Sequence, residues 1–343
     1  MSKVRVAING FGRIGRSAFK ILHGRSDVEV IAVNDLTDNQ TLAHLLKYDS
    51  NYPGHDWYKE ITASDAGLVV DGKKVHVFAE KDPAKLPWAA HDIDVVIEST
   101  GFFVDPALAK AHVEGGGAKK VVISAPAKGE GSTTIVLGVN DEDIKAAGDV
   151  VNNGSCTTNC VSPVAAVLQS AFGIEKAMMT TVHSYTADQN LQDAPHKDLR
   201  RARAAAKNIV PTSSGAGIAV SEVIPELKNQ FDALSLRVPT SVVSVCDFAI
   251  VTSKNVTIEE VNEAFKKAAA EPFYQGILGV TEEELVSSDF IGNSHSAIVD
   301  LKLTNVVGGN LLKVVAWYDN EWGYSNRLVE LTVDLGKALH AQL

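Results

Sequence analysis

Residues 4–15, Val-Arg-Val-Ala-Ile-Asn-Gly-Phe-Gly-Arg-Ile-Gly, constrain the fold of this chain more than any other segment. A β-branched, nearly uncharged run (Val4–Ile8) leads into glycines at 10, 12 and 15, and then into Ile14, Ala18, Ile21 and Leu22 at helical spacing. A second uncharged run, Val28–Val33, follows. Strand, glycine turn, helix and strand within 30 residues form a βαβ unit, which requires a parallel sheet covered on both faces. Val95–Glu98 and Val121–Ser124 read as further buried strands of that sheet.

The spacing Gly10-x-Gly12-x-x-Gly15, after a strand and opening a helix, predicts a dinucleotide site. Gly10 permits the tight turn, Gly12 lets a pyrophosphate approach the backbone, and Gly15 lets helix and strand pack closely. The helix N-terminus attracts the phosphates, and Arg13 is placed to join them. Asp35 follows Gly15 by 20 residues, at the end of the second strand. A carboxylate there accepts hydrogen bonds from the adenosine ribose and repels a 2′-phosphate, which favours NAD over NADP. Leu36 adds no basic residue that would reverse this preference.

After about residue 150 the pattern changes to long alternating stretches: Ala177–Tyr185, Ala233–Thr240, Val242–Thr252, Ser296–Leu303 and Lys313–Tyr318. Alternation predicts a largely antiparallel sheet with one covered face. Helical patterns at Val161–Phe172, Ser214–Leu227 and Thr257–Ala270 would cover it. Thr186–Val210 is polar, Arg-rich and irregular, which in a compact domain points to function. The tail from Ser325 to Leu343 reads as one amphipathic helix. The expected fold class is therefore an α/β Rossmann nucleotide-binding domain over 1–154 and an α+β catalytic domain with a mixed, largely antiparallel sheet over 155–321. A C-terminal helix over 322–343 would return to the first domain.

Cys156 stands just before the Val161–Phe172 helix, where a helix N-terminus favours a thiolate and a lowered pKa. A nucleophilic thiol needs a base, and His183, at the end of a predicted strand in the same domain, is the candidate. His44, His55, His76, His91 and His112 fall in the nucleotide half and His340 in the tail. Cys160 and Cys246 read as small buried hydrophobes, and with no further ligand set no metal is expected.

The chain has 343 residues and a net charge of −10, which argues against a broad nucleic-acid or anionic-membrane surface. Three cysteines do not make a disulfide framework and fit a reducing compartment. With no apolar leader at the N-terminus and no run long enough to span a bilayer, a soluble, cytoplasmic protein is expected.

Asn9–Gly15, Ser155–Cys160, Thr180–Thr186, Arg203–Gly215, Arg237–Thr240 and Trp317–Asn326 together resemble glyceraldehyde-3-phosphate dehydrogenases of the phosphorylating, glycolytic type, in the same order and over essentially the whole chain. Ser-Cys-Thr-Thr-Asn-Cys and Trp-Tyr-Asp-Asn-Glu-Trp-Gly-Tyr-Ser are specific to that family and its near relatives. The resemblance implies Cys156 as nucleophile and His183 as base, with glyceraldehyde 3-phosphate, inorganic phosphate and NAD as reactants. It implies Arg13, Ile14, Asp35, Lys81 and Ser124 as cofactor contacts, and Asn320 as the partner of the nicotinamide carboxamide. Thr186, Asp188 and Arg237 correspond to the site for the substrate's phosphate. Ser155, Thr157, Arg203, Ser214 and Gly215 correspond to the phosphate site near the thiol, which Arg237 can also serve. A homotetramer is implied, in which Thr186–Val210 lines a neighbouring subunit's cofactor pocket.

The chain departs from the family pattern at several positions. Ser214 replaces the usual Thr but keeps a hydroxyl, Gly217-Ile218 replaces Ala-Lys, and Ser241-Val242 replaces Pro-Asn. Ala194-Pro195 combines half of the NAD-strict bacterial pattern with half of the dual-cofactor plastid one, so selectivity against NADP stays open. Two alternatives to the main reading are erythrose-4-phosphate dehydrogenase and an inactive NAD-binding scaffold.

Overall fold

The computed structural model describes residues 2–52 and 60–341; His55 and the last two residues of the tail lie outside them. The chain divides into two compact units. The first comprises residues 1–135, 141–154 and 325–343, and the second 136–140 and 155–324.

Among the described residues, the first unit contains strands β1 (Val4–Asn9), β2 (Val28–Asn34), β3 (Ile61–Ser64), β4 (Gly67–Val70), β5 (Lys73–Phe78), β6 (Val95–Glu98), β7 (Lys120–Ile123), β8 (Thr133–Thr134) and β9 (Val150–Asn152). They form one sheet in the order β3-β4-β5-β2-β1-β6-β7-β9-β8. Pairing is parallel from β5 to β8 and antiparallel for β3 and β4. The central strands are buried along nearly their whole length, as their uncharged sequences require. Strand order reverses at β1, with β2 on one side and β6 on the other. In open α/β sheets ligands bind beyond the strand C-termini at such a point. Helices α1 (Arg13–His23), α2 (Asn39–Lys47), α3 (Pro106–Ala109) and α4 (Ala111–Glu114) connect the strands.

The second unit opens with α5 (Cys156–Phe172) and contains β10 (Ile174–Ser184), β11 (Val210–Ser213), α6 (Ala216–Val223), β12 (Phe231–Val238), β13 (Ser244–Thr252), α7 (Ile258–Ala270), β14 (Leu278–Thr281), β15 (Ala297–Asp300), β16 (Asn305–Val307) and β17 (Leu311–Tyr318). The sheet runs β11-β12-β10-β13-β17-β15-β14, with β16 also paired to β17. It is mixed: β10 pairs parallel with β12, and β14 with β15, while the other pairs are antiparallel. Helices α5, α6 and α7 bury one face of it, with Val161, Val164, Leu168, Val220, Phe265, Phe248 and Val314 in a common core. Between Thr186 and Val210 there is no helix or strand.

Some elements differ from the sequence reading. Ser214–Leu227 is not one helix: α6 stops at Val223, and Pro225, which has no amide hydrogen to donate, opens a separate 3-10 turn. Ser296–Leu303 is half strand and half 3-10 turn. The last helix, α8 (Trp322–Ala341), begins at the expected 322, three residues before the amphipathic pattern read from Ser325, and Asp319 accepts hydrogen bonds there from the amides of Glu321 and Trp322. Residues 136–140 join the second unit because Val136 is buried in its core and Gly138 packs on Ile277. No described helix is long and apolar enough to cross a membrane.

Candidate active site

In the first unit, the C-terminal ends of β1, β2, β5 and β6 surround a cavity of about 560 Å³. Gly10, Gly12, Asp35, Leu36, Lys81 and Thr100 are among its lining residues. The three glycines have distinct physical duties. Gly10 has φ +94°, and a Cβ there would lie 2.6 Å from Thr100 N; a Cβ on Gly15 would lie 2.0 Å from the Gly10 carbonyl oxygen. Around Gly12 nothing lies within 4 Å of that position, which leaves open space over the start of α1. Gly12 caps α1 without a side-chain hydrogen bond, and the first turn carries no acid, so nothing there competes with an anion. The Asp35 carboxylate is fixed by Phe11 N at 2.8 Å and Thr37 N at 2.9 Å, one donor on each oxygen. Each oxygen retains a lone pair for a ribose hydroxyl. These residues fit NAD. Arg13 instead turns to Asp49 at 2.9 Å and the Tyr52 ring at 5.7 Å. Ile14 is half-buried in the first turn of α1, and Ser124 follows β7, its amide donating to Glu98 O at 2.9 Å.

Beneath this floor lies a buried polar network. Glu98 accepts from Thr100 N at 2.8 Å, Thr100 Oγ1 at 2.5 Å and Asn9 Nδ2 at 2.5 Å. His112 Nε2 lies 3.1 Å from it. Trp88 Nε1 donates to His112 Nδ1 at 2.9 Å, so the neutral ring carries its proton on Nε2, facing Glu98. Asn34 ties Asn9 Oδ1, at 2.6 Å, to the backbone of Glu80. The network joins the ends of the strands that carry the cavity.

In the second unit, Cys156 is the first residue of α5. Ser155 is the cap: its hydroxyl accepts from Thr158 N at 3.0 Å, and Thr158 Oγ1 accepts from Ser155 N at 3.3 Å. This box holds the thiol at the helix start. Cys156 Sγ lies 3.4 Å from His183 Nε2. Parallel register between β10 and β12 sets His183 beside Arg237. Arg237 Nη1 lies 2.9 Å from His183 Nδ1, and Ser184 O lies 2.7 Å from the same nitrogen.

Burial determines the protonation of this pair. It pushes the Cys156 thiol up to about 11, against the pull of Arg237. It pushes His183 down to about 3, and Arg237 adds to that shift. This corrects the sequence expectation of a lowered thiol pKa. Cys156 is only half-buried, yet desolvation outweighs the favourable helix start.

Tyr318 is a site residue that sequence reasoning missed. Its buried hydroxyl lies 3.0 Å from Thr157 Oγ1 and 2.8 Å from Thr181 Oγ1, so it joins the strand of His183 to the helix of Cys156. It lies within the Trp-Tyr-Asp-Asn-Glu-Trp motif, and the inward phase of the Lys313–Tyr318 alternation was the available signal. A second chain of bonds runs from Ser184 N to Ser244 Oγ at 3.1 Å, and from there to Asn320 Oδ1 at 3.0 Å. Asn320 is thereby fixed and buried.

The anion-site candidates are only partly assembled. Asp188 pairs with Arg201, whose charge is felt at both Arg237 and His183. Arg201 was not singled out in the sequence. Arg203 is not brought to this group; it pairs with Asp193 at 3.0 Å on the surface. The Thr186 amide lies 3.3 Å from Gln189 Oε1. Ser214 accepts from Ala216 N at 3.3 Å, and Gly215 caps α6. No hydrogen bond among the described residues links Ser214 or Gly215 to Cys156 or His183.

Residues 155–320 match the family described as glyceraldehyde 3-phosphate dehydrogenase, C-terminal domain, and residues 4–106 match its NAD binding domain. The chain belongs to the glyceraldehyde-3-phosphate dehydrogenase family. It is similar to glyceraldehyde-3-phosphate dehydrogenase 1 of Bacillus cereus, with 53% identity over 95% of this chain and 97% of the relative. To glyceraldehyde-3-phosphate dehydrogenase 1 of Bacillus subtilis the identity is 54%, over 97% and 98%. To the glyceraldehyde-3-phosphate dehydrogenase of Borreliella burgdorferi it is 52%, over 97% and 100%. Family membership agrees with an NAD-dependent oxidoreductase built from a Rossmann-type domain and a mixed-sheet domain.

Proposed function

We propose that this protein oxidises D-glyceraldehyde 3-phosphate to 1,3-bisphosphoglycerate, with NAD as hydride acceptor and inorganic phosphate as the group that releases the product. The observation that carries this reading is the 3.4 Å approach of Cys156 Sγ to His183 Nε2 at the start of a helix. The thiol adds across the aldehyde: Sγ bonds to carbon, and the oxygen gains the proton. His183 Nε2 then takes that hydroxyl proton as the carbonyl re-forms and the carbon's C–H bond breaks with loss of hydride, leaving a thioester on Cys156. The Cys156 amide at the helix start and the imidazole stabilise the oxyanion. NAD, when bound in the first unit, supplies the hydride acceptor. A phosphate oxygen then attacks the thioester carbon, and the Cys156 sulfur leaves and is reprotonated.

Arg237, with Thr186 and Asp188, is assigned to the substrate's phosphate. Ser155, Thr157, Ser214 and Gly215 are assigned to the attacking phosphate, with hydroxyls and backbone amides as donors. Asn320 is assigned to the nicotinamide carboxamide. Arg13, Ile14, Lys81 and Ser124 are assigned to the rest of the cofactor, which requires Arg13 to exchange Asp49 for pyrophosphate. A cytoplasmic homotetramer completes the reading.

The test is NADH formation with D-glyceraldehyde 3-phosphate and with erythrose 4-phosphate, each with and without inorganic phosphate, and with NADP in place of NAD. Sustained turnover is expected only with glyceraldehyde 3-phosphate, NAD and phosphate together. Faster turnover of erythrose 4-phosphate, or turnover indifferent to phosphate, would overturn the assignment.

A further inference from the structure

Val243 holds a backbone conformation that a β-branched side chain resists. Its φ is +71°, and it is buried. Three other non-glycine residues among those described have positive φ, but Asp71, Asp92 and Asn229 are of the polar types that tolerate it. Strain of this kind persists only where the surroundings over-determine it, and it gathers at functional sites. Here the restraint is Ser184, the residue after His183. The Ser184 hydroxyl donates to Val243 O at 2.6 Å. With its one proton engaged there, it accepts from Thr240 Oγ1 at 3.0 Å. The Ser184 amide donates to Ser244 Oγ at 3.1 Å. Ser184 therefore grips both residues at which the chain enters β13.

Ser244 Oγ in turn lies 3.0 Å from Asn320 Oδ1, and both residues are buried. The Ser244 hydroxyl has one proton and, among the described residues, no other acceptor for it. Its lone pair serves the Ser184 amide. If the Asn320 amide were reversed, its NH₂ would point at Ser244 Oγ, and the buried Ser244 proton would have no acceptor. The observed orientation keeps Oδ1 on Ser244. It leaves Nδ2, which has no hydrogen-bond partner among the described residues, as the end that a ligand meets.

We propose that Ser244 is a positioning residue that fixes the Asn320 amide with its NH₂ presented to the ligand as a donor, and that the strained turn at Val243 sets Ser244 in place. This rests on the reading above that Asn320 binds the nicotinamide carboxamide. It adds that the carboxamide oxygen, and not its NH₂, is the atom recognised. A donor whose direction is already fixed holds the ring without first having to be ordered.

The test measures dissociation constants of the full-length protein by calorimetric titration with three ligands. These are NAD, its acetylpyridine analogue, which keeps the carbonyl oxygen but lacks the NH₂, and ADP-ribose, which lacks the ring. Asn320→Ala should weaken NAD and the acetylpyridine analogue by about tenfold each and leave ADP-ribose unchanged. Ser244→Ala should weaken both by about three- to tenfold, again without effect on ADP-ribose. In the double variant the loss should equal that of Asn320→Ala alone, because Ser244 acts through Asn320. Additive losses, or an ADP-ribose affinity that falls together with that for NAD, mean a general structural role and overturn the proposal. An Asn320→Ala loss confined to NAD overturns the orientation, since the NH₂ of the carboxamide would then be the atom recognised. If Ser244→Ala does not fold, Ser184→Ala keeps Ser244 but releases the Val243 carbonyl. It should give the same selective loss, and an unchanged NAD affinity there would overturn the proposal. If Asn320→Ala binds NAD as wild type does, the assignment of Asn320 to the carboxamide fails. If Asn320→Ala weakens NAD while Ser244→Ala stays within about twofold of wild type, only this inference fails.

Discussion

Replacing Glu98 by Gln tests whether the cofactor cavity is held in shape before NAD arrives. Four donors converge on the buried Glu98 carboxylate: Thr100 N, Thr100 Oγ1, Asn9 Nδ2 and His112 Nε2. A glutamine has one acceptor oxygen and one NH₂. If the NH₂ faces Asn9 and His112, it meets two donors. His112 cannot change tautomer to accept, because Trp88 Nε1 already donates to its Nδ1 at 2.9 Å. If the NH₂ faces Thr100, the hydroxyl can turn to accept but the amide N–H cannot. The second orientation is the less costly, and losing one hydrogen bond to a charged group costs about 1.5–3 kcal/mol. At roughly 2–4 °C per kcal/mol, the first unit's unfolding midpoint should fall by about 5–10 °C. Asn9 immediately precedes Gly10 and Thr100 lines the cavity, so NAD affinity should fall at temperatures where the variant is still folded. The assays are calorimetric unfolding and NAD titration by fluorescence quenching, with kcat at saturating NAD as control. kcat should change little, because Glu98 belongs to the first unit and Cys156 to the second. A variant that unfolds within about 1 kcal/mol of wild type and binds NAD equally well would refute the reasoning.

Gly12→Ala and Gly15→Ala should separate phosphate space from packing. A Cβ at 12 meets nothing within 4 Å, so stability should hold while NAD affinity drops; at 15 it would lie 2.0 Å from a backbone oxygen, so stability should fall as well. Equal melting points for the two variants would contradict this. Tyr318→Phe removes the bridge between Thr157 and Thr181; an expected loss of about 1–3 kcal/mol, measured by denaturant titration, should be accompanied by a lower kcat. With pH the sign follows from His183, whose value drops from 6.5 to about 3 on folding. Below pH 6.5 the unfolded chain binds a proton that the folded protein refuses, so stability is present above that pH and is lost as pH falls, by about 2 kcal/mol at pH 5. His183→Asn should flatten that limb, and an unchanged slope would show that the imidazole is already charged in the folded protein.

The parts of the fold that rest on local pattern were legible in the sequence. The β1-turn-α1-β2 unit and the strand Val95–Glu98 carry their own signal, because glycine spacing and uninterrupted β-branched runs act over a few residues; the helix read from Val161 begins five residues earlier, at Cys156. Strands β3 to β5 were not legible, since β3 and β4 are only four residues each, β5 opens on two exposed lysines, and their pairing is set by the sheet edge they extend. The transfer of residues 136–140 to the second unit depends on Val136 joining that unit's core and on Gly138 packing against Ile277, more than 100 residues away. The nucleophile and its base could be named as candidates, but their contact is a consequence of register. Choosing between Arg201 and Arg203 required the path of an irregular loop, which composition does not encode. The raised thiol pKa was hidden for a similar reason, because desolvation depends on everything packed around Sγ, whereas the helix start is visible locally.

The most direct measurement of the central claim is rapid mixing of the NAD-loaded enzyme with D-glyceraldehyde 3-phosphate in the absence of phosphate, followed by acid quench and mass spectrometry of the intact chain. The account predicts a burst of NADH equal to the active sites and a phosphoglyceryl group on Cys156, discharged when phosphate is added. Cys156→Ser should bind NAD and give neither burst nor adduct. NADH formation in that variant at wild-type rate, or a burst that leaves Cys156 unmodified, would contradict covalent catalysis at this thiol.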